Sequence, residues 1–282
     1  MQAMNTPPSL RTALTICLAL PCAILISPNA PAADAAPQPA PPTKAAPAAP
    51  VVPELPPAAL TDVWAPVPPV VSAPASGAPS DAIVLLDGKN FDAWESVKGG
   101  PAPWILEDGG MVVAPRTGAI RTKAAFGDIQ FHLEFRSPSV VKGTSQGRGN
   151  SGVFFMGRYE VQVLDSYNNP TYVNGQAGAV YKQHFPLVNS SRPPGEWQTY
   201  DIVFVAPRFA PGGVMDTPAR LTVFHNGVLV QHDVEVKGPT ENRGYPAYKP
   251  HAARLPLELQ DHGDLVGFRN IWVREISLPS TR

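Results

Sequence analysis

Ile129-Gln130-Phe131-His132-Leu133-Glu134-Phe135-Arg136 alternates strictly between apolar and polar residues. Successive side chains of a strand point to opposite faces, so Ile129, Phe131, Leu133 and Phe135 form one side and Gln130, His132, Glu134 and Arg136 the other. The stretch is a half-buried strand whose second face is polar. Similar short runs follow at 152–156, 160–164, 199–205, 221–225, 228–233, 255–261 and 271–276. No window of a dozen residues repeats apolar positions at i, i+3, i+4 and i+7. Asn226-Gly227 sits between two of the runs, where a type I′ turn needs positive φ at both central residues. Asp108-Gly109 and Gly157-Arg158 mark two further turns. Many short strands punctuated by turns predict an all-β fold, an antiparallel jelly-roll sandwich rather than a βαβ arrangement. Trp94, Trp104, Trp197 and Trp272 read as core residues before sugar platforms.

Upstream the character of the chain changes. The 282 residues include 35 prolines, concentrated between Pro28 and Pro79 in runs such as Pro37-Gln38-Pro39-Ala40-Pro41-Pro42. Such a stretch buries too little apolar surface to offset its chain entropy. Residues 33–80 therefore read as a disordered Ala/Pro-rich linker, an extended spacer, and 81–279 as one folded domain, long enough for a sizeable core. Residues 1–32 read as a secretory signal peptide: Arg11, the apolar run 12–26 (TALTICLALPCAILI), then small residues at 30–33. A retained anchor is the competing reading of the same run. The implied location is exported, periplasmic or secreted. Cys17 and Cys22 both lie in the apolar run, so the mature protein needs no disulfide and has no thiol nucleophile. Net charge is -1 with no basic stripe, which argues against nucleic acid as a partner. No membrane contact beyond the signal is indicated, and the oligomeric state stays open.

Polar residues that carry chemistry gather on two strands. Alternation puts Glu160 and Gln162 on one face, opposite Tyr159, Val161 and Val163; it puts Glu258, Gln260 and His262 on one face, opposite Leu257 and Leu259. An ordinary solvated face is the bland reading. Against it, these faces use Gln, His and Glu where solvated strands carry Lys, Thr and Ser. Gly-rich segments at 147–152 and 262–264 flank both strands and allow close backbone approach to a ligand. The 147–152 segment is no phosphate loop, because it leads into a strand and lacks the Lys-Ser/Thr pair. Ser151 and Ser166 lack a nucleophile elbow. Glu160, Asp165, His262 and Asp264 offer oxygen and nitrogen donors suited to calcium, manganese or zinc, at no known ligand spacing. No cofactor is fixed, and a divalent metal stays an open alternative.

Eight motifs then occur in a fixed order. They are Leu86-Asp87-Gly88-Lys89-Asn90-Phe91 with Trp94, Gly149-Asn150-Ser151-Gly152-Val153-Phe154-Phe155, Tyr159-Glu160-Val161-Gln162-Val163-Leu164-Asp165, and Gly178-Ala179-Val180-Tyr181. Gly195-Glu196-Trp197, Asn226-Gly227, Leu259-Gln260-Asp261-His262-Gly263 and Phe268-Arg269-Asn270-Ile271 complete them. From Ile83 to Ile276 the chain resembles the bacterial 3-keto-disaccharide hydrolase domain, also described as a 3-keto-glucoside lyase/hydratase. The resemblance implies a concanavalin A-like jelly roll in exported proteins that act on glycosides oxidised at C3. It implies catalytic roles for Glu160, His262 and Asp165, and substrate binding by Asn150, Gln162, Tyr181, Gln260 and Arg269, with Asp261 also at a recurrent position. One departure is the insertion-like Pro207–Pro218 segment, which could reshape one end of a cleft.

A ketone at C3 acidifies the C2 proton, so a base can start elimination of the aglycone from C1, and water adds back afterwards. Glu160 or His262 would be the base and the other the acid. Strict alternation puts Asp165 opposite Glu160, and Asp261 opposite His262, so either joins the site only where its strand ends or bulges. Two rival classes remain: a carbohydrate-binding module of the same fold, and hydrolysis by a carboxylate pair such as Glu160 and Glu258.

Overall fold

The computed structural model describes residues 65–277. The signal-peptide reading and most of the linker lie outside them. No α-helix occurs among the described residues, and no helix there is long and apolar enough to cross a membrane.

The strands are β1 (Ile83–Leu86), β2 (Trp94–Ser96), β3 (Ile105–Glu107), β4 (Gly110–Val112), β5 (Ile120–Thr122), β6 (Ile129–Arg136), β7 (Ser151–Phe155) and β8 (Tyr159–Val163). They continue with β9 (Gln198–Val205), β10 (Arg208–Phe209), β11 (Met215–Thr217), β12 (Arg220–His225), β13 (Val228–Glu235), β14 (Glu258–Leu259) and β15 (Gly267–Glu275). One sheet runs β13-β12-β9-β6-β15-β4-β3, with β1 also on β15; a smaller sheet runs β2-β5-β14-β7-β8. All these pairings are antiparallel. The fold is the expected antiparallel jelly-roll sandwich.

The decisive alternation of β6 appears unchanged, with Ile129, Phe131, Leu133 and Phe135 buried and the four polar residues partly exposed. The two sheets meet through aromatic rings. Phe155 of β7 sits edge-on to Phe131 at 5.6 Å and stacks on Phe204 at 4.8 Å, and Tyr159 of β8 lies 6.0 Å from Phe204. The buried Tyr200 of β9 crosses the gap and donates its hydroxyl to the Gln162 carbonyl at 2.7 Å. That bond ties the backbone of β8 to the large sheet.

The turn chemistry is largely as read. Asn226 and Gly227 have φ of 54° and 77° between β12 and β13, and Asp108 and Gly109 have 52° and 70° between β3 and β4. The β7–β8 turn differs: Met156 and Gly157 carry the positive φ, so it starts one residue before Gly157-Arg158. The run at 255–261 forms only the two-residue β14, although single hydrogen bonds carry the pairing on through Leu255 and Gln260. Trp94 and Trp104 are core residues and Trp272 is buried against His132 on the other face of β15, but Trp197 is partly exposed and lies near the guanidinium groups of Arg136 and Arg269, at 4.7 and 4.2 Å. The 207–218 segment forms the β10–β11 ribbon, whose Phe209 packs on Tyr248 and His251.

Phe155→Ala should remove the ring that two large-sheet aromatics share. It should cost about 3–5 kcal/mol, typical of a buried Phe deletion, and lower the melting temperature by about 10 °C. Thermal denaturation followed by circular dichroism checks this.

Candidate active site

The outer face of the small sheet carries one row of side chains set by register. Glu95 pairs with Arg121, Arg121 with Glu258, Glu258 with Phe154 and Phe154 with Glu160. Arg121 bonds Glu95 at 2.8 Å. The next row holds Gln162 opposite Gly152, and the Gln260 N–H bonds the Gly152 carbonyl from the other side at 3.0 Å. Glu160, Gln162, Gln260 and Glu258 therefore surround Gly152 and Phe154.

Gly152 is a glycine for a steric reason. A Cβ there would lie 2.6 Å from Glu160 Oε1 and 2.9 Å from the Phe154 ring. The carboxyl group thus lies against the bare backbone of Gly152 in the neighbouring row.

Strand β8 is an edge strand, yet all five of its residues are buried. Its outer edge is covered by a returning segment: Tyr181 N bonds Glu160 O, Gln162 N bonds Ala179 O, and Gly178 N bonds Gln162 O. The Thr240 hydroxyl accepts from Glu160 N at 3.0 Å. Such covering is how native sheets manage an exposed edge, and here it also removes water from Glu160.

Glu160 is 4% exposed. Desolvation alone pushes its pKa up to about 8, from an ordinary 4.5, and no cation among the described residues offsets it. Burial also raises Glu258, with Arg121 partly opposing the rise. Tyr181 and Tyr172 share a hydrogen bond of 2.5 Å between their hydroxyls. Burial, that bond and the Glu160 charge raise the Tyr181 pKa, which keeps the phenol protonated. A strongly displaced acid among convergent polar groups is the usual physical mark of a catalytic site.

The residues named from sequence divide into two sets. Glu160, Gln162, Tyr181 and Gln260 come together. Asn150 adjoins them: its Nδ2 donates to the Gln146 carbonyl at 2.6 Å and its N–H to Asp264 at 2.8 Å. His262 is exposed two residues beyond Gln260, past the end of β14, where the chain turns as Gly263 N donates to Asp261 Oδ1. Asp165 is committed elsewhere: its carboxylate accepts from Arg148 Nε at 2.7 Å and from Tyr167 N at 3.2 Å. With Arg148 it lines a separate cleft of about 830 Å³ whose walls include Val140, Val141 and Leu265. Asp261 accepts from Gly118 N and Gly263 N. Arg269 is on the large sheet, where it bonds Glu134 at 2.7 Å and lies over Trp197. It is not part of the Glu160 row. Sequence reading passed over Gln146, Tyr172 and Thr240, which sit in loops where no periodicity marks an inward side chain.

The donor set suggested for a metal does not assemble. Asp165 and Asp264 are engaged as described, and no group of three or more His, Cys, Asp or Glu side chains among the described residues is placed to hold an ion.

The family model for the 3-keto-alpha-glucoside-1,2-lyase-like domain matches residues 81–274. The chain belongs to that family. A solved structure from Parabacteroides distasonis, described only as a candidate glycosyl hydrolase, is 49% identical, with a TM-score of 0.75 over 78% of this chain and 96% of that one. A second from the same organism, similarly described, has 20% identity and a TM-score of 0.53 over 70% and 94% of the two chains, a likeness of fold. A Bacteroides thetaiotaomicron protein named 3-keto-disaccharide hydrolase is 23% identical over 238 residues, 68% of this chain and 77% of that protein. Membership puts the domain among glycoside-hydrolase-like proteins, and the matched residues contain the whole Glu160 row.

The raised pKa of Glu160 has a thermodynamic signature. Folding binds its proton more tightly than the unfolded chain does. Its favourable contribution is therefore complete below about pH 4.5, declines as pH rises and is lost above about 8. Glu160→Gln removes the titration, so the variant should be more stable than the parent at pH 9, by several kcal/mol at most (about 1.4 kcal/mol per pKa unit). The gain should shrink towards pH 5. Urea unfolding of both proteins at the two pH values checks the sign.

Proposed function

We propose that this protein is an exported enzyme that cleaves 3-keto-glycosides by elimination and hydration, for a net hydrolysis. The observation that carries the reading is Glu160, a carboxyl group lying over bare backbone with a pKa of about 8 and no counter-charge. A desolvated carboxylate is a far stronger base than a solvated one, which suits removal of a proton from carbon.

In this reaction ionised Glu160 takes the C2 proton that the C3 ketone acidifies. The C–H electron pair becomes the C2–C3 double bond of an enolate. The enolate then collapses: the ketone re-forms, a C1–C2 double bond appears, and the C1–O bond to the aglycone breaks. The departing oxygen receives a proton, a role we give to His262, two residues beyond Gln260. Water then adds hydroxyl to C1 while C2 regains a proton, and the free 3-keto sugar leaves. Enolate charge needs a donor. In the Tyr172–Tyr181 pair one O–H is used internally and the other remains to donate, so we assign the ketone oxygen to this pair. Gln162 and Gln260 would receive sugar hydroxyls, and the family relative named 3-keto-disaccharide hydrolase supports the substrate class.

A second reading has an observation of its own. Glu258 and Glu160 share a row across β14, β7 and β8, about 10 Å apart at Cα by two strand spacings, which would suit hydrolysis by a carboxylate pair. The two readings separate on the substrate. The wild type should release aglycone from a 3-keto-glucoside and not from its unoxidised parent, with kcat/KM rising through a pKa of about 8. Glu160→Gln should lower release at least ~100-fold while sugar binding persists. Equal release from the parent glucoside would favour the carboxylate pair. Binding with no release from either sugar would make the domain a binding module.

A further inference from the structure

Gln146 precedes the Gly147–Gly152 segment and reaches under the site from a loop. Its amide orientation is fixed by chemistry. The Gly175 carbonyl, 2.9 Å away, can only accept, so the Gln146 atom facing it is Nε2; the same nitrogen is 3.0 Å from the Thr171 hydroxyl. Gln146 Oε1 must then face the other way, and it lies 2.9 Å from the Gln162 amide. An acceptor there obliges Gln162 to present Nε2 to it. Gln162 Oε1 is left over. It is buried, in a residue only 1% exposed, and has no hydrogen-bond partner among the described residues.

The loop that carries Gln146 is itself held. Ser145 N donates to Asn169 Oδ1 at 2.8 Å, the Ser145 hydroxyl lies 2.7 Å from that of Thr171, and the Gln146 carbonyl accepts from Asn150 Nδ2. An amide locked at one end cannot flip to suit a ligand. A buried acceptor without a partner is costly, and the cost is recovered when a donor arrives.

We propose that Gln146 is a positioning residue that locks Gln162 as an acceptor, so that the site reads a hydroxyl, never a carbonyl, at the sugar position facing Gln162. This rests on the reaction assigned above and sharpens its substrate. The C3 ketone cannot be seated at Gln162 and must lie towards the Tyr172–Tyr181 hydroxyls. The hydroxyl read by Gln162 is then on the part of the ring away from C2, at C4 or C6. Sugars further oxidised or blocked at that position are excluded.

Fluorine replaces a hydroxyl at similar size but cannot donate, which makes it the probe. Binding of a 3-keto-glucoside and of its 4-fluoro and 6-fluoro analogues is measured by calorimetry on the full chain carrying Glu160→Gln, which prevents turnover. One fluoro analogue should bind at least about tenfold more weakly than the parent sugar. Adding Gln146→Leu frees the Gln162 amide to rotate and should shrink that ratio below about threefold. Adding Gln162→Leu should do the same, and the two together should be no worse than Gln162→Leu alone, because they act through one atom. A purely structural Gln146 would weaken all three sugars alike and leave the ratio intact, which overturns the proposal. Turnover by the wild type is read in parallel. Discrimination without turnover would remove the assigned reaction and keep Gln146 in its role; turnover without discrimination would do the reverse; no binding of any of the three sugars overturns both.

Discussion

Strand β8 is buried on both faces, and one of those faces consists of Glu160 and Gln162. Burying polar side chains is costly unless something compensates, and much of the surrounding chain is arranged around that constraint. Tyr200 reaches across from the large sheet to the Gln162 carbonyl. The 178–181 segment and Thr240 satisfy the backbone of the exposed edge. The 144–150 loop closes over the end of the strand and supplies Gln146 to the Gln162 amide. What these contacts leave uncompensated is the Glu160 carboxyl group and the buried Oε1 acceptor of Gln162. Both are given roles towards substrate in the reaction we propose.

Removing water from Glu160 without providing a cation is a stability cost that grows as pH rises above about 4.5 and is complete above about 8. A partner arginine would relieve it but would also make the carboxylate a weak base. Arg121 shows the alternative along the same row: it bonds Glu95 and adjoins Glu258, while Phe154 stands between Glu258 and Glu160. An apolar ring in the row thus separates a solvated ion pair from a desolvated acid on a single sheet face. Gly152 completes the separation by letting the carboxyl group lie flat on backbone.

The opposite face of the sandwich has its own polar order. Arg269 and Asn270 both bond Glu134, Asn270 with φ of 47° at a bulge in β15, and His132 stacks on Trp272 while bonding Asp201. These groups compensate one another within the protein. That explains why a motif such as Phe268-Arg269-Asn270-Ile271 can recur with the site motifs without joining them: it secures β15, the strand on which β1, β4 and β6 all pair.

Alternation and turn chemistry by themselves determined the class of fold, most strands and the hairpins at Asn226-Gly227 and Asp108-Gly109, because side-chain period and φ preference are local properties. They also determined that Glu160 shares a face with Gln162, and Glu258 with Gln260; the pairing of β7 with both strands then put these on one sheet face. Tertiary structure alone decided which polar residues share a site. Asp165 and Arg269 have the residue types expected of a site, yet Arg148 of the 147–152 segment and Glu134 of the neighbouring strand β6 claim them, and neither pairing can be read from alternation along one strand. Gln146, Tyr172 and Thr240 were invisible in the sequence because loops carry no period that shows which side chain turns inward. The pKa of Glu160 likewise depends on which loops exclude water from it, and desolvation is a property of the assembled surroundings rather than of any stretch of chain.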